Sequence, residues 1–265
     1  METAWDTLYR WEWFHREQWL PGFRERKRHS PAAFKQIVDG LGGSFVLDSS
    51  CGFGLKTLVL HGLGLRVVGS DGCAFAVQKA RELAAAEGQA VQFFSAPWAE
   101  LPERTTDRFE GVFNDALSWI VTRGKFESAL RGLCGVLRPG GVLVFMGAAQ
   151  DSPSDPESRR RLLESEWQRR PRFSIEWRYA RDAVTCTSLL VRERGEMYVD
   201  EHHLFLIEEG GVQSLETATI RQPVYWHWPL LLEMVLQAGF ARLETRTFPG
   251  LGAGGTTFRL NVATR

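Results

Sequence analysis

The chain has 265 residues, of which 44% are hydrophobic, and its 32 basic and 32 acidic side chains give a formal net charge of zero. This length fits one large α/β domain with an insertion, or two small domains, and the balanced charge gives no electrostatic support for nucleic acid or a membrane surface as a partner. Four scattered cysteines without a C-x-x-C pair argue against a zinc site and a disulfide framework, and the absence of a signal peptide and of long apolar runs predicts a cytoplasmic protein.

Predicted strands and helices alternate over the first 150 residues. An aromatic segment at 1–30 comes first, followed by a helix at 31–41 that has proline at its first position. Further helices are expected at 55–61, 74–87 and 124–137, and strands at 44–48, 65–70, 90–94, 109–114 and 142–146. This alternation predicts a parallel sheet with helices on both faces.

The pattern changes after residue 150. A loop and a charged helix lead into successive strands with tight turns over 173–220, which predicts an inserted antiparallel sheet. A helix at 230–238 and strands at 241–248 and 256–264 then complete the main sheet. The predicted domains are an N-terminal arm or lid (1–30), a cofactor-binding core (31–150), an antiparallel substrate subdomain (151–224) and the C-terminal part of the core (225–265).

The turn after the first predicted strand carries the clearest functional signal. It reads V-L-D-S-S-C-G-F-G over 46–54, and Gly52 and Gly54 allow a tight turn and close approach of a ligand. Asp71 ends the next strand, where nucleotide-binding α/β folds place a carboxylate for the ribose hydroxyls. Asp48 would repel a pyrophosphate in the turn. A ligand with a cationic centre, such as the sulfonium and ammonium of S-adenosylmethionine, fits better.

With these elements placed, the chain resembles class I S-adenosylmethionine-dependent methyltransferases, and among them most closely the glycine N-methyltransferase group. The resemblance rests on the 46–54 motif, V-V-G-S-D at 67–71, A-P-W at 96–98, F-E-G-V at 109–112, L-R-P-G-G-V-L-V-F at 137–145, V-T-C-T-S-L-L-V at 184–191 and A-G-F at 238–240. It implies a Rossmann-like seven-stranded sheet with helices on both faces and an inserted antiparallel β subdomain. S-adenosylmethionine as cofactor and a homodimer or homotetramer are also implied.

The resemblance also implies the cofactor-binding residues. Asp71 would bind the ribose hydroxyls, Pro97 and Trp98 would contact adenine, and Arg28 would lie near the cofactor carboxylate. The full set is Arg28, Asp48, Ser50, Gly52, Gly54, Asp71, Gly72, Pro97, Trp98, Asn114 and Leu117. For Trp98 a purely structural role in the core stays open.

The implied substrate pocket differs from that of glycine methyltransferases. Those enzymes have an arginine that grips the amino-acid carboxylate after the fifth strand, at the position of Ala148 here. We therefore expect an amine or imidazole acceptor rather than glycine. The substrate-binding candidates are Tyr9, Trp119, Ala148, Glu176, His202 and Tyr225, and the catalytic candidates are His202, Tyr225, His227 and Glu176.

Two of these assignments have alternatives. His202 and His203 should point to opposite faces of one strand, so at most one of them lines the pocket, and Glu176 could equally face solvent. A hydroxyl or imidazole N–H acceptor would need a general base, for which His202 and His227 are the candidates.

The preferred function is methylation of a small-molecule nitrogen without a metal. An O- or S-methyltransferase of the same fold, or a protein that binds S-adenosylmethionine without turnover, remains an alternative. The strand-four end reads Phe113-Asn114-Asp115-Ala116-Leu117 and lacks the N/D-P-P-Y/F motif of nucleic-acid methyltransferases. With no basic surface run either, nucleic acid is not an expected partner.

Overall fold

The computed structural model describes residues 3–29, 31–117, 120, 122–146, 155–169, 171–195, 198–223, 228–248 and 258–265. Contacts divide the chain into two compact units. One unit consists of Met1–Glu25 and Ser152–Val224, and the other of Arg26–Asp151 and Tyr225–Arg265. None of the helices in the described residues combines the length and hydrophobicity that a membrane crossing requires.

The elements follow the predicted order closely. The helices are α1 (Ala4–Phe14), α2 (Arg16–His29), α3 (Pro31–Leu41), α4 (Leu55–Gly62), α5 (Ala74–Ala86), α6 (Leu101–Arg104), α7 (Arg123–Val136), α8 (Pro156–Arg169) and α9 (Trp228–Gln237). The strands are β1 (Phe45–Asp48), β2 (Arg66–Asp71), β3 (Gln92–Ser95), β4 (Phe109–Asn114), β5 (Leu137–Phe145), β6 (Phe173–Arg181), β7 (Val184–Arg194), β8 (Tyr198–Glu209), β9 (Val212–Pro223), β10 (Arg242–Phe248) and β11 (Phe258–Thr264).

The larger unit contains a seven-stranded sheet in the order β10-β11-β5-β4-β1-β2-β3. Strands β1 to β5 pair in parallel, whereas β11 runs antiparallel to β5 and to β10. This confirms the predicted Rossmann-like fold class with its separate antiparallel sheet. One local prediction was wrong: β5 begins at Leu137 rather than 142, because Leu137 already pairs with Phe109 of β4. Between this pair and the next, Gly111 with Val142, four residues of β5 (138–141) correspond to one residue of β4, and Gly140 (φ +76°) lies in this irregular stretch.

The central strands are buried on both faces, which explains their continuous apolar runs. Leu47, Val112 and Leu143 belong to one core cluster, which includes side chains of α7 and α9. Their immediate neighbours Val46, Phe113 and Val144 belong to a second cluster, with Ile37, Leu41 and Leu60 of α3 and α4. Neighbouring residues of a strand point to opposite faces, so the two clusters cover the two faces of the sheet. Packing on both faces holds the ends of these strands in a fixed position.

The smaller unit is a four-stranded antiparallel sheet in the order β6-β7-β8-β9, with α1 packed on one face. Trp11 of α1 stacks on Phe205 of β8 with ring centroids 5.8 Å apart. The Glu216 carboxylate of β9 accepts hydrogen bonds from the Trp11 indole (2.8 Å) and the Arg10 guanidinium (2.6 Å). The N-terminal helix α1 therefore has a defined position on the sheet of this unit. The predicted lid role of residues 1–30 stays a prediction.

Candidate functional site

The carboxyl ends of β1, β2 and β4 form one edge of the parallel sheet. Strand β1 lies between β2 and β4, so the order of connection reverses at this point. Open α/β sheets bind ligands in the crevice at such a switch point. Asp48, Asp71 and Asn114 are the last residues of these three strands, which places the polar groups of the predicted cofactor site at one edge.

The carboxylate of Asp71 connects two turns of this edge. Its Oδ2 accepts a hydrogen bond from the Gly52 N–H, and its Oδ1 accepts one from the Cys73 N–H, each at 2.9 Å. Gly52 has φ +51°, in the left-handed region that glycine adopts without strain. The two bonds orient the half-buried carboxylate and fix the glycine turn beside it.

Asp48 is a buried acid, with only 1% of its surface exposed. Its Oδ2 accepts a hydrogen bond from the Thr57 hydroxyl at 2.7 Å. Burial raises the pKa of Asp48 to about 6, and the Asp71 charge adds to this; the Thr57 hydrogen bond, the Lys56 charge and the Ser50 N–H act in the opposite direction. A cationic ligand nearby would stabilise the ionised form, which burial disfavours.

Gly54 begins α4 in the left-handed conformation, with φ +78°. A Cβ at this position would lie 3.0 Å from Ala80 Cβ and from two ring carbons of Phe93. Both the backbone conformation and the tight space therefore favour glycine.

Replacing Gly54 with alanine should destabilise the protein more than replacing Gly64. Gly64 has φ +92° with no atom within 4 Å of a built Cβ, so its substitution adds backbone strain alone, about 1–2 kcal/mol. Gly54→Ala adds crowding and should cost about 1 kcal/mol more. Denaturant unfolding of both variants measures the difference, and equal losses would show that the neighbours of Gly54 yield without cost.

The sequence analysis did not identify Asp115, a third acid at this edge, as a site residue. It also did not identify Lys56 and Thr57. The Ser50 hydroxyl donates to Asp115 Oδ1 at 2.8 Å, and the Asp115 N–H donates back to Ser50 Oγ at 3.0 Å. Lys56, in the first turn of α4, forms an ion pair with Asp115. Burial lowers the pKa of Lys56, and the Asp48 charge partly offsets this. The position of Asp115 directly after β4 was the available signal.

Buried hydrogen bonds fix the loop after β4 against the turn after β1. The Asn114 amide donates to Ser49 Oγ at 2.9 Å, and its carbonyl oxygen accepts from the Ala116 and Leu117 N–H groups at 2.9 and 2.8 Å. The Leu117 side chain is buried in the core. The Trp98 indole donates to the Ser49 carbonyl at 2.5 Å, so this ring is held beside the edge.

Most other predicted cofactor residues also lie on the described elements. Pro97 precedes the short 3-10 helix Trp98–Glu100 and is exposed, as is Gly72 after β2. Arg28 lies within α2, but its side chain is outside the described part of the structure. Contact of these residues with a cofactor stays a prediction.

Only some of the predicted substrate and catalytic residues lie within the described part of the structure. Trp119, Ala148, Tyr225 and His227 lie outside the described residues. Glu176 is exposed beside a register shift in β6 and accepts a hydrogen bond from Ser174. His202 Nδ1 lies 3.0 Å from Thr219 Oγ1, and its Nε2 lies 3.4 Å from Glu193. Their assignment to a substrate pocket stays a prediction.

The two histidines of β8 have different surroundings. His203 is half-buried and its ring lies parallel to Phe205, with centroids 6.5 Å apart. Desolvation lowers the pKa of His203, while the Glu201 and Glu176 carboxylates act against this. Glu201 itself is buried and pairs with Arg192 at 2.8 Å. The face of the sheet that α1 covers therefore carries His203 rather than His202, a choice that the sequence left open.

Comparisons with known proteins agree with this architecture. Residues 46–141 match the family model described as "Methyltransferase domain". The uncharacterized methyltransferase YodH of Bacillus subtilis (strain 168) is 26% identical over 132 residues, 46% of this chain and 55% of that protein. The chain thus spans about half the length of this curated relative.

Solved structures extend the likeness of fold over most of the chain. CalS10, an amino pentose methyltransferase from Micromonospora echinaspora, matches with TM-score 0.59 and 15% identity over 93% of this chain and 96% of that one. The sugar N-methyltransferase KedS8 from Streptoalloteichus sp. ATCC 53650 matches with TM-score 0.59 and 16% identity over 84% of this chain and 81% of that one. The closer resemblance to the glycine N-methyltransferase group is not shown by these comparisons.

Proposed function

We propose that this chain, whose residues 46–141 match the methyltransferase domain, is a class I methyltransferase that methylates a nitrogen atom of a small-molecule amine. The family match and the fold support S-adenosylmethionine as its cofactor. The observation that carries the proposal is the acidic edge of the sheet, where the buried Asp48 and the oriented Asp71 favour a cationic nucleoside over a phosphate-bearing one.

The reaction is an in-line displacement. The lone pair of a neutral amine attacks the methyl carbon, a C–N bond forms as the C–S bond breaks, and S-adenosylhomocysteine leaves with the electron pair. The methylated ammonium then loses its N–H proton to solvent or to a nearby base. Because the sulfonium already carries its leaving group, the main task of the protein is to align the two reactants at about 3 Å.

The choice of acceptor rests on two arguments. Structural neighbours include proteins described as an amino pentose methyltransferase and a sugar N-methyltransferase, which supports an amine borne on a small polar molecule. Ala148 stands where the resemblance implies a carboxylate-binding arginine, which argues against glycine. An imidazole nitrogen is the second choice, with His202, Tyr225, His227 and Glu176 proposed at the acceptor. A homo-oligomer and a cytoplasmic location stay predictions.

A labelling experiment tests the proposal. The protein is incubated with S-adenosylmethionine carrying a labelled methyl group and with separate pools of amines, aminosugars, imidazoles, phenols, thiols and glycine. We expect label in the amine or aminosugar pools and none in glycine. Transfer only to phenols or thiols would refute N-methylation. Binding of S-adenosylhomocysteine without a labelled product from any pool would favour the non-catalytic alternative.

A further inference from the structure

Lys56 interacts with two of the acids at the carboxyl edge of the main sheet. It forms an ion pair with Asp115, which follows β4. It also attracts Asp48 at the end of β1, since the charge of each of these two residues shifts the pKa of the other. Lys56 and Asp115 are both half-buried, so salt screens their charges less than it screens those of surface residues.

The main contribution of Lys56 to this edge is its charge. Asp115 is already held by Ser50, whose hydroxyl donates to Oδ1 at 2.8 Å and accepts a hydrogen bond from the Asp115 N–H at 3.0 Å. Asn114 fixes the same loop by accepting two hydrogen bonds from backbone N–H groups. The loop after β4 therefore has its own anchors, and Lys56 adds the positive charge that balances Asp115.

The cofactor and its product differ in the charge that they bring to such an edge. S-adenosylmethionine carries a sulfonium, whereas S-adenosylhomocysteine lacks both the methyl group and this positive charge. Acids in the crevice favour the sulfonium form and cations oppose it, and each charge acts over several ångströms. The dissociation constant of S-adenosylhomocysteine divided by that of S-adenosylmethionine, here called the selectivity ratio, therefore reports the charge balance of the edge.

We propose that the ion pair of Lys56 and Asp115 sets how strongly the protein prefers S-adenosylmethionine to S-adenosylhomocysteine. Asp115 favours the sulfonium and Lys56 opposes it, so the intact pair is balanced and the other charges of the edge supply the preference. A lower selectivity ratio means stronger inhibition by accumulated product. The inference rests on the proposed function, because it concerns the cofactor and the product of that reaction at the same site.

Calorimetry of both ligands, at pH 8 and without an acceptor, tests the pair. Lys56→Met removes one positive charge and should raise the selectivity ratio about fivefold. Asp115→Asn should lower the ratio about fivefold, and its amide oxygen can still accept the Ser50 hydrogen bond. The double variant should return to the wild-type ratio. A purely structural role of the pair would weaken the binding of both ligands alike and leave the ratio unchanged.

Two control variants separate charge from other effects. Lys56→Arg keeps the positive charge and should keep the wild-type ratio. Arg138→Met removes the cation of a comparable ion pair with Glu110, which lies at the amino-terminal ends of β4 and β5 and thus at the opposite edge of the same sheet. This variant should also keep the wild-type ratio. Ratios within twofold of wild type for Lys56→Met or for Asp115→Asn would overturn the inference.

The result is distinguishable from that of the labelling experiment. Methylation of an amine, together with an unchanged selectivity ratio in the two single variants, would refute the role of the ion pair and leave the proposed function intact. The expected changes of the ratio without a labelled product from any acceptor pool would refute the proposed function and leave the role of the ion pair intact.

Discussion

Replacing Asp71 with alanine is expected to weaken the binding of S-adenosylhomocysteine by about 1.5–3 kcal/mol, roughly 10- to 150-fold. The carboxylate would accept charge-assisted hydrogen bonds from the ribose hydroxyls, and alanine accepts none. The variant also loses the bonds from the Gly52 and Cys73 N–H groups, so the glycine turn is held less firmly. Both effects lower the affinity for S-adenosylhomocysteine.

Calorimetry at pH 8 measures the change. Asp107→Ala, which removes an exposed carboxylate before β4, is the matched control and should bind like wild type. Asp71→Asn separates the two effects, because an amide still accepts a hydrogen bond but carries no charge. An unchanged dissociation constant for Asp71→Ala, in a protein that unfolds at the wild-type temperature, would remove Asp71 from the site.

The edge of the main sheet could be predicted because its determinants are local. A strand that is buried on both faces reads as a continuous apolar run, and the acid at its end lies within one turn of the glycines. The spacing from Asp48 to Asp71 reflects a single β-α-β unit. Strand ends in parallel neighbours must meet at one edge, so even the proximity of Asn114 followed from topology.

Contacts between distant segments could not be read from the sequence. Lys56 and Asp115 each look like an ordinary charged residue until β1 and β4 pair and bring them together. Arg10 and Glu216 meet only because α1 packs on a sheet that forms some 200 residues later. The same packing decides that His203 rather than His202 shares a face with Phe205, since alternation along β8 defines two faces but not which one is covered.

Asp48 should make the affinity for S-adenosylmethionine depend on pH. In the free protein its pKa is about 6, and a bound sulfonium and ammonium favour the ionised carboxylate and lower that pKa. Binding below pH 6 must therefore release a proton. The affinity should rise about tenfold per pH unit up to pH 6 and stay level above it, because one pKa unit corresponds to about 1.4 kcal/mol. Dissociation constants measured between pH 5 and 8 give this slope.

Asp48→Asn should remove this dependence of the affinity on pH. It should also change how the free energy of unfolding of the free protein depends on pH. The folded pKa of Asp48 lies above its ordinary value of 3.8, so the wild-type free energy of unfolding falls as pH rises from about 4 to about 6. Asparagine is neutral throughout, so the variant should lack this fall, which amounts to at most about 3 kcal/mol. Denaturant unfolding at pH 4.5 and pH 7.5 measures it. A wild-type affinity that is independent of pH between 5 and 8 would show that the Asp48 carboxylate does not sense the charge of the cofactor, and the electrostatic argument for a cationic nucleoside would then fail.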